Sequence, residues 1–412
     1  MIRFILADLR RLWAGSLVVV LLVALATALG VAVSLQERAL RLGSARAAAK
    51  FDLIVGAPGS ATQLVLSAVF LQPAPLPLVS GETLAKLTAD PRVAWAAPIG
   101  FGDFYAGNPI VGTTTTLVAE TGRGFAAGRM FAREGEAVTG AAVDLALGAE
   151  IVPVHGRPGA GGHRHGDVRY RVVGHLKPTG TAWDRAILVP VQAVWHVHGL
   201  GHHDEHEHDE HEEHEHHHGI DADAPLTEHW DAEDAPGLPA ILVKPRSVAA
   251  AYKLRQDYRG DRTQAVFPAE VLTALYATMG DARRILFAIA VGAQALVAAS
   301  LVLVTVIHVA QRKRQIGALR AFGAPRRAVF LIVWLELFTL VATGIAAGFA
   351  IGYAVSQALA AAFAAENGIV LPVGFTAEDV PFALGLAGFA ALLAALPAAL
   401  AYREPPAQAL RG

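Results

Sequence analysis

The chain contains no cysteine. That absence excludes disulfides, cysteine-ligated zinc, thiol catalysis and a lipidated cysteine, and it leaves the redox compartment unread. A phosphate-cradling GxxxxGK[ST] loop is also missing, so ATP hydrolysis by the usual route would need a second protein. Charged residues make up only 17% of 412 while 54% are hydrophobic, an apolar share above that of an ordinary soluble domain. The formal net charge of -2 leaves no electrostatic footprint for nucleic acid. That near-neutrality hides an uneven distribution, since one tract supplies eight acids and the remainder is net basic.

Where charge thins out, the chain runs long and apolar. Leu12–Gln36 follows Arg3, Arg10 and Arg11 and has no formal charge over 25 residues. A cleavable signal has an apolar core of only about 7 to 15 residues, so the run predicts an uncleaved first span with its N-terminus inside. Ile285–Gln311 has no Asp, Glu, Lys or Arg, and Ala328–Ala365 has only Glu336. Val380–Tyr402 is the fourth run, followed by Arg403 and Arg411. At about 1.5 Å per residue, each run can cross a hydrocarbon core about 30 Å thick.

The expected fold class is an α-helical membrane protein with four transmembrane helices plus an α+β extracytoplasmic domain between the first and second. In order, the expected parts are a cytoplasmic N-terminus (1–11), the first span (12–36), the extracytoplasmic domain (37–284) and the second span (285–311). A cytoplasmic loop (312–327), the third span with its outer extension (328–365), an outer loop (366–379), the fourth span (380–402) and a cytoplasmic tail (403–412) complete it.

Between the second and third runs lies QRKRQIGALRAFGAPRR, Gln311–Arg327. Arg312, Lys313, Arg314, Arg320, Arg326 and Arg327 carry its charge with no acid among them, the bias that keeps a loop on the cytoplasmic side. Ile316, Leu319 and Phe322 recur every three residues and give a short helix one apolar face, which Gly323 and Pro325 end. Such a helix lying along the membrane surface has the geometry of a lever for a soluble partner. The same residues would also suit lipid headgroups, with the cations setting topology alone.

The run RKRQIGALRAFGAPRRAVFLIVWLE, Arg312 to Glu336, resembles the loop between the second and third spans of FtsX-like (MacB-type) ABC transporter permeases. The shared features are the basic start, the Ile-Gly-x-Leu-Arg-Ala-x-Gly-Ala core and an acidic residue one helix later. FDLIVGAPGS at Phe51 and TGTAWDRAILVP at Thr179 are similar to extracytoplasmic pieces of the same family. The resemblance implies that Ile316, Leu319, Arg320 and Phe322 dock on a separate ABC ATPase subunit that binds the ATP, so that this chain is itself no enzyme. It further implies a homodimer in the lipid bilayer of a bacterial inner membrane, with both termini cytoplasmic and room for a periplasmic partner protein.

The function expected from it is coupling of ATP hydrolysis to movement of the periplasmic domain, for export, extraction or metal-linked transport, with zinc a candidate. No central polar pathway is evident, which suits force transmission better than passage of a solute. The alternative is an FtsX-like signalling or scaffold protein that activates a periplasmic partner without transport.

The 248 residues of Glu37–Arg284 can hold one or two folded domains. Phe51–Val55, Ile110–Leu117, Val168–Val173, Ala186–Val189 and Ile241–Val243 predict strands. Gly81–Leu87, Val138–Leu147 and Ser247–Tyr258 predict helices, and Pro268–Met279 a helix feeding the second span. Gln72–Leu78, QPAPLPL, predicts an extended connector.

From His202 to His218 every residue is His, Asp or Glu, nine imidazoles and eight carboxylates. No core can form from it, which predicts a disordered loop over 196–229. His202, His203, His206, His208, His211, His214, His216, His217 and His218 offer neutral imidazoles for zinc, nickel or copper, in overlapping weak sets. His163 and His165 could add ligands. A solubilising low-complexity expansion is the plainer reading. His214, Glu215 and His218 match HExxH, but a tract made only of such residues matches by chance and lacks the apolar helix a metalloprotease needs.

Two further features lie in the apolar runs. His308 and Glu336 sit near the basic loop, where snorkelling or pairing with Arg competes with a proton relay. Gly344, Gly348 and Gly352 form a small-residue stripe that predicts a helix or dimer interface.

Overall fold

The computed structural model describes residues 13–156, 163–164, 166–200, 220–228, 230, 235–311 and 325–403. Among these the helices are, in chain order, α1 (Trp13–Ala48), α2 (Ala61–Phe70), α3 (Gly81–Ala89), α4 (Thr115–Thr121), α5 (Val191–Val197), α6 (Val248–Asp257), α7 (Pro268–Gln311), α8 (Arg326–Asn367) and α9 (Val380–Arg403). The strands are β1 (Leu53–Gly56), β2 (Val93–Tyr105), β3 (Asn108–Thr113), β4 (Phe125–Gly128), β5 (Glu136–Thr139), β6 (Glu150–Ile151), β7 (Val154–His155), β8 (His163–Arg164), β9 (Tyr170–Leu176), β10 (Ile187–Pro190), β11 (Ala240–Pro245) and β12 (Gln264–Val266). The chain divides into a sheet unit, Leu42–Thr278 with Phe363–Val370, and a helical unit, Met1–Arg41, Met279–Ala362 and Leu371–Gly412.

The sheet unit is α+β, as expected. Its strands run β12-β1-β11-β2-β3-β10-β5-β9-β4, with β6 on β9, and with β7 on β2 and β8. The long strand β2 joins two halves: its first part, through Ile99, pairs with β11, and its second part, from Gly100, pairs with β3. Between Gly100 and Asp103 the β2–β3 register shifts, a bulge that lets the strand change partners and re-aims the side chains beside it.

Each half has its own core. Leu53, Val55, Leu84, Leu87, Ile241 and Val243 fill one, and Ile110, Ile151, Tyr170, Val172, Ile187 and Val189 the other. The short helix α5 serves both, because Val191 and Trp195 belong to the first core while Ala193, Val194 and Val197 belong to the second. A helix buried on two faces has little freedom to shift, so whatever it carries at its end is held firmly.

Local chemistry explains most elements. Tyr170–Leu176 alternates buried and accessible residues as a strand with one core face must. Ser247 caps α6 by accepting from the Ala250 amide at 3.1 Å. Two expectations are corrected. The strand predicted over Ile110–Leu117 stops at Thr113, because Thr114 turns the chain and its hydroxyl caps α4 at the Leu117 amide, 3.3 Å away. The helix predicted over Val138–Leu147 is β5 followed by turns: Val138 pairs with Leu188 of β10 and Gly174 of β9, so sheet pairing overrides helical spacing. The helix α2 and the strand β2 carried no clear sequence signal, since Pro98, Gly100 and Gly102 punctuate β2 as a loop would be punctuated.

In the helical unit, three helices among the described residues are long and apolar enough to cross a membrane: Trp13–Ala48, Arg327–Asn367 and Ala377–Ala395. The expected second span falls within α7, a 44-residue helix.

Candidate functional site

Within the helical unit, α1 and α8 meet through glycines. A Cβ placed on Gly348 would stand 2.5 Å from Thr27 Cβ and 2.7 Å from the Ala24 carbonyl oxygen. On Gly344 it would meet Val23 Cβ at 2.7 Å, and on Gly352 the Ala28 carbonyl oxygen at 2.8 Å. No side chain fits there, so the stripe is a helix interface within the chain, and its partner is α1. Val23, Val341 and Ala390 form a small core beside it, and the Trp334 indole donates to the Ala391 carbonyl at 3.0 Å, tying α8 to α9. Before α9, Asp379 accepts two hydrogen bonds from Arg38, at 2.8 and 2.6 Å, while closing a capping box with Thr376. Glu336 is half-buried on α8.

The segment expected to couple to an ATPase connects α7 to α8, since α7 ends at Gln311 and α8 begins after Pro325. Ile316, Leu319, Arg320 and Phe322 lie outside the described residues, as do His165, the tract His202, His203, His206, His208, His211, His214, His216, His217 and His218, and His229. The shoulders of that tract are built into the sheet unit. Residues 196–200 include the end of α5, and Glu228 accepts from both the amide and the hydroxyl of Thr115, at 2.7 and 2.5 Å.

Beside the upstream shoulder the fold gathers a group that the sequence reading did not assemble. Asp103 of β2 and His155 of β7 are direct cross-strand partners. His198 caps the C-terminal end of α5 and reaches the same point. His155 Nδ1 lies 3.3 Å from Asp103 Oδ1 and 3.3 Å from His198 Nε2, and His198 Nε2 lies 3.7 Å from Asp103 Oδ1. The Asp103 side chain is only 2% exposed, that of His198 20% and that of His155 51%, so the group opens to solvent on the His155 side.

The His198 Nδ1 is 2.8 Å from the Val194 carbonyl, which can only accept. Nδ1 therefore carries a proton, so in the neutral ring the lone pair is on Nε2, the atom nearest Asp103 and His155. Gly102, at the bulge, makes room: a Cβ there would stand 2.8 Å from His198 Nε2. His163, named above as a further ligand, is the backbone partner of His155 in the β7–β8 ladder.

Two residues before His198, His196 does different work. Its Nδ1 meets a Glu134 oxygen at 2.9 Å, and that hydrogen bond raises the imidazole's pKa above the ordinary value. In the same half of the sheet, Tyr170 is wholly buried, which pushes its phenol well above the usual range and leaves it neutral.

Residues 287–407 match the family model of the FtsX-like permease C-terminal region. Among solved structures the chain is similar to the periplasmic region of MacB from Actinobacillus actinomycetemcomitans, at 9% identity and a TM-score of 0.34, over 56% of this chain and 95% of that one. No curated protein matches the chain.

Proposed function

We propose that this chain, whose residues 287–407 belong to the FtsX-like permease family, is the membrane subunit of an ABC-type complex powered by a separate ATPase. The observation that carries the reading is that match, which takes in the basic loop with Ile316, Leu319, Arg320 and Phe322. The chain crosses the bacterial inner membrane four times, α7 supplying the second span, with both termini and the loop 312–327 in the cytoplasm. Two copies assemble with two ATPases. ATP binding draws the ATPases together, the loop helix moves, and the sheet unit outside the membrane changes shape to export, extract or release its substrate.

The lever must meet the ATPase through an apolar face, because an unpaired charge buried at that contact costs several kcal/mol. Phe322→Asp is expected to abolish capture of the ATPase by detergent-solubilised chain and to remove coupled ATPase activity, while thermal unfolding of the chain stays as in wild type. Capture at wild-type strength with undiminished coupled activity would sink the proposal.

A further inference from the structure

We propose that Asp103, His155 and His198 form one defined site for a zinc-class divalent transition ion, distinct from the His202–His218 tract and independent of the coupling role. The donor set is two imidazole nitrogens and one carboxylate oxygen, a combination that zinc accepts, with a fourth position left for water or another ligand. The three donor atoms already stand at the separations such an ion requires. Bonds of about 2.05 Å in a tetrahedron place ligand atoms about 3.3 Å apart, the bond length times 1.63. The observed separations are 3.3, 3.3 and 3.7 Å. A triangle of those sides has a circumradius of about 2.0 Å, so an ion about 2.05 Å from all three atoms would lie about 0.5 Å out of their plane, accessible from the open side.

The supporting structure is that of a ligand set. Nδ1–H of His198 donates to the Val194 carbonyl, the outer hydrogen bond that fixes the tautomer and aims Nε2 at a metal. The buried Asp103 carboxylate supplies negative charge to offset part of that of a dication, and the half-exposed His155 supplies a way in. Each ligand is positioned separately: by the β2–β7 register, by the bulge at Gly102, and by α5 locked between two cores. Little rearrangement is then needed on binding, in contrast to a tract whose ligands must be gathered. The competing arrangement is purely protein: an Nδ1–H of His155 shared between Asp103 and His198, with no affinity for metal.

The test uses the full-length chain in detergent with all nine tract histidines replaced by serine, and Zn2+ as the probe. That chain is expected to retain one zinc against a competing chelator at about pH 7.5, and to unfold at a higher temperature when zinc is present. Co2+ in its place is expected to show the visible absorption of a four-coordinate ion. His155→Ala, His198→Gln and Gly102→Ala, each made in the same background, should weaken binding at least about tenfold. The same three changes should abolish the zinc-dependent rise in unfolding temperature. Metal-free unfolding of each variant, measured beside its response to zinc, separates ligand loss from misfolding. A tract-substituted chain that holds no zinc, or whose zinc and thermal response survive His155→Ala and His198→Gln, would establish the hydrogen-bonded arrangement and overturn the site.

Discussion

In the sheet unit, Leu53, Leu84, Ile99, Ile110 and Tyr170 are large side chains shut away completely, while in the helical unit α1 and α8 meet past Gly344, Gly348 and Gly352. The sheet cores fill space with side chains, and the α1–α8 stripe leaves them out so that backbones can touch. With the helical unit in a membrane and the sheet unit outside it, as proposed above, the difference follows from the solvent each unit meets. Burying apolar side chains away from water drives the sheet unit together, at about 25 cal/mol per Å². Lipid tails are as apolar as Leu, so membrane helices gain nothing from hiding Leu and associate through close van der Waals packing of small residues. The two units should therefore fail under opposite substitutions, loss of volume in one and gain of volume in the other.

The largest effect is expected from truncating the sheet unit. Leu53 of β1 is fully buried in the first core, and Leu53→Ala should lower stability by about 2 to 5 kcal/mol, from lost burial and the cavity left behind. Thermal unfolding followed by the β-sheet circular dichroism signal measures it. A fall under 1 kcal/mol would show that this half of the sheet is held by something other than its core.

Enlargement of the stripe should come next. A Cβ at Gly348 would stand 2.5 Å from Thr27 Cβ, so Gly348→Leu is expected to force α1 and α8 apart at a cost of about 1 to 3 kcal/mol. An engineered disulfide between α1 and α8 is convenient in a chain with no natural cysteine, and its yield reports their separation. Wild-type yield with Leu at position 348 would break the contrast between the units.

The same contrast governs what the sequence disclosed. The apolar runs are legible because a span needs about 20 uncharged residues in a row, a local property, and the Gly stripe is legible because helical spacing repeats it. The α+β character of the sheet unit was also legible from short β-branched runs. Its pairings were not. Val138 looks helical until β9 and β10 flank it, and β2 looks like a loop because Pro98, Gly100 and Gly102 interrupt it.

Legibility also separates the two regions put forward as candidates for metal. His202–His218 announces itself by composition, whereas Asp103, His155 and His198 come together across separations of 52 and 43 residues through a strand register, a bulge and the end of a helix. The one clue available was that His198 stands apart from the tract, just after Val191–Val197, in which five of seven residues are apolar.

The smallest effect concerns charge, and it tests whether the sheet unit relies on anything besides volume. Glu136 accepts from Arg129 at 2.8 Å and from the Ala132 amide at 2.7 Å. The Arg129 hydrogen bond is the larger cause holding its carboxyl below the ordinary Glu value, with the amide adding to it. A depressed folded pKa means that the unfolded chain binds the proton more readily. The contribution is therefore fully present above the unfolded pKa of about 4.3 and is lost as pH falls through the lower folded value. Arg129 is 58% exposed, so solvent screens the pair and its share is expected to stay under about 1 kcal/mol. Unfolding temperature should decline between about pH 4.5 and 3 in wild type. In Glu136→Gln, which has no carboxylate to protonate, the decline over the same range should be shallower, and identical slopes in the two chains would mean that the ion pair contributes nothing.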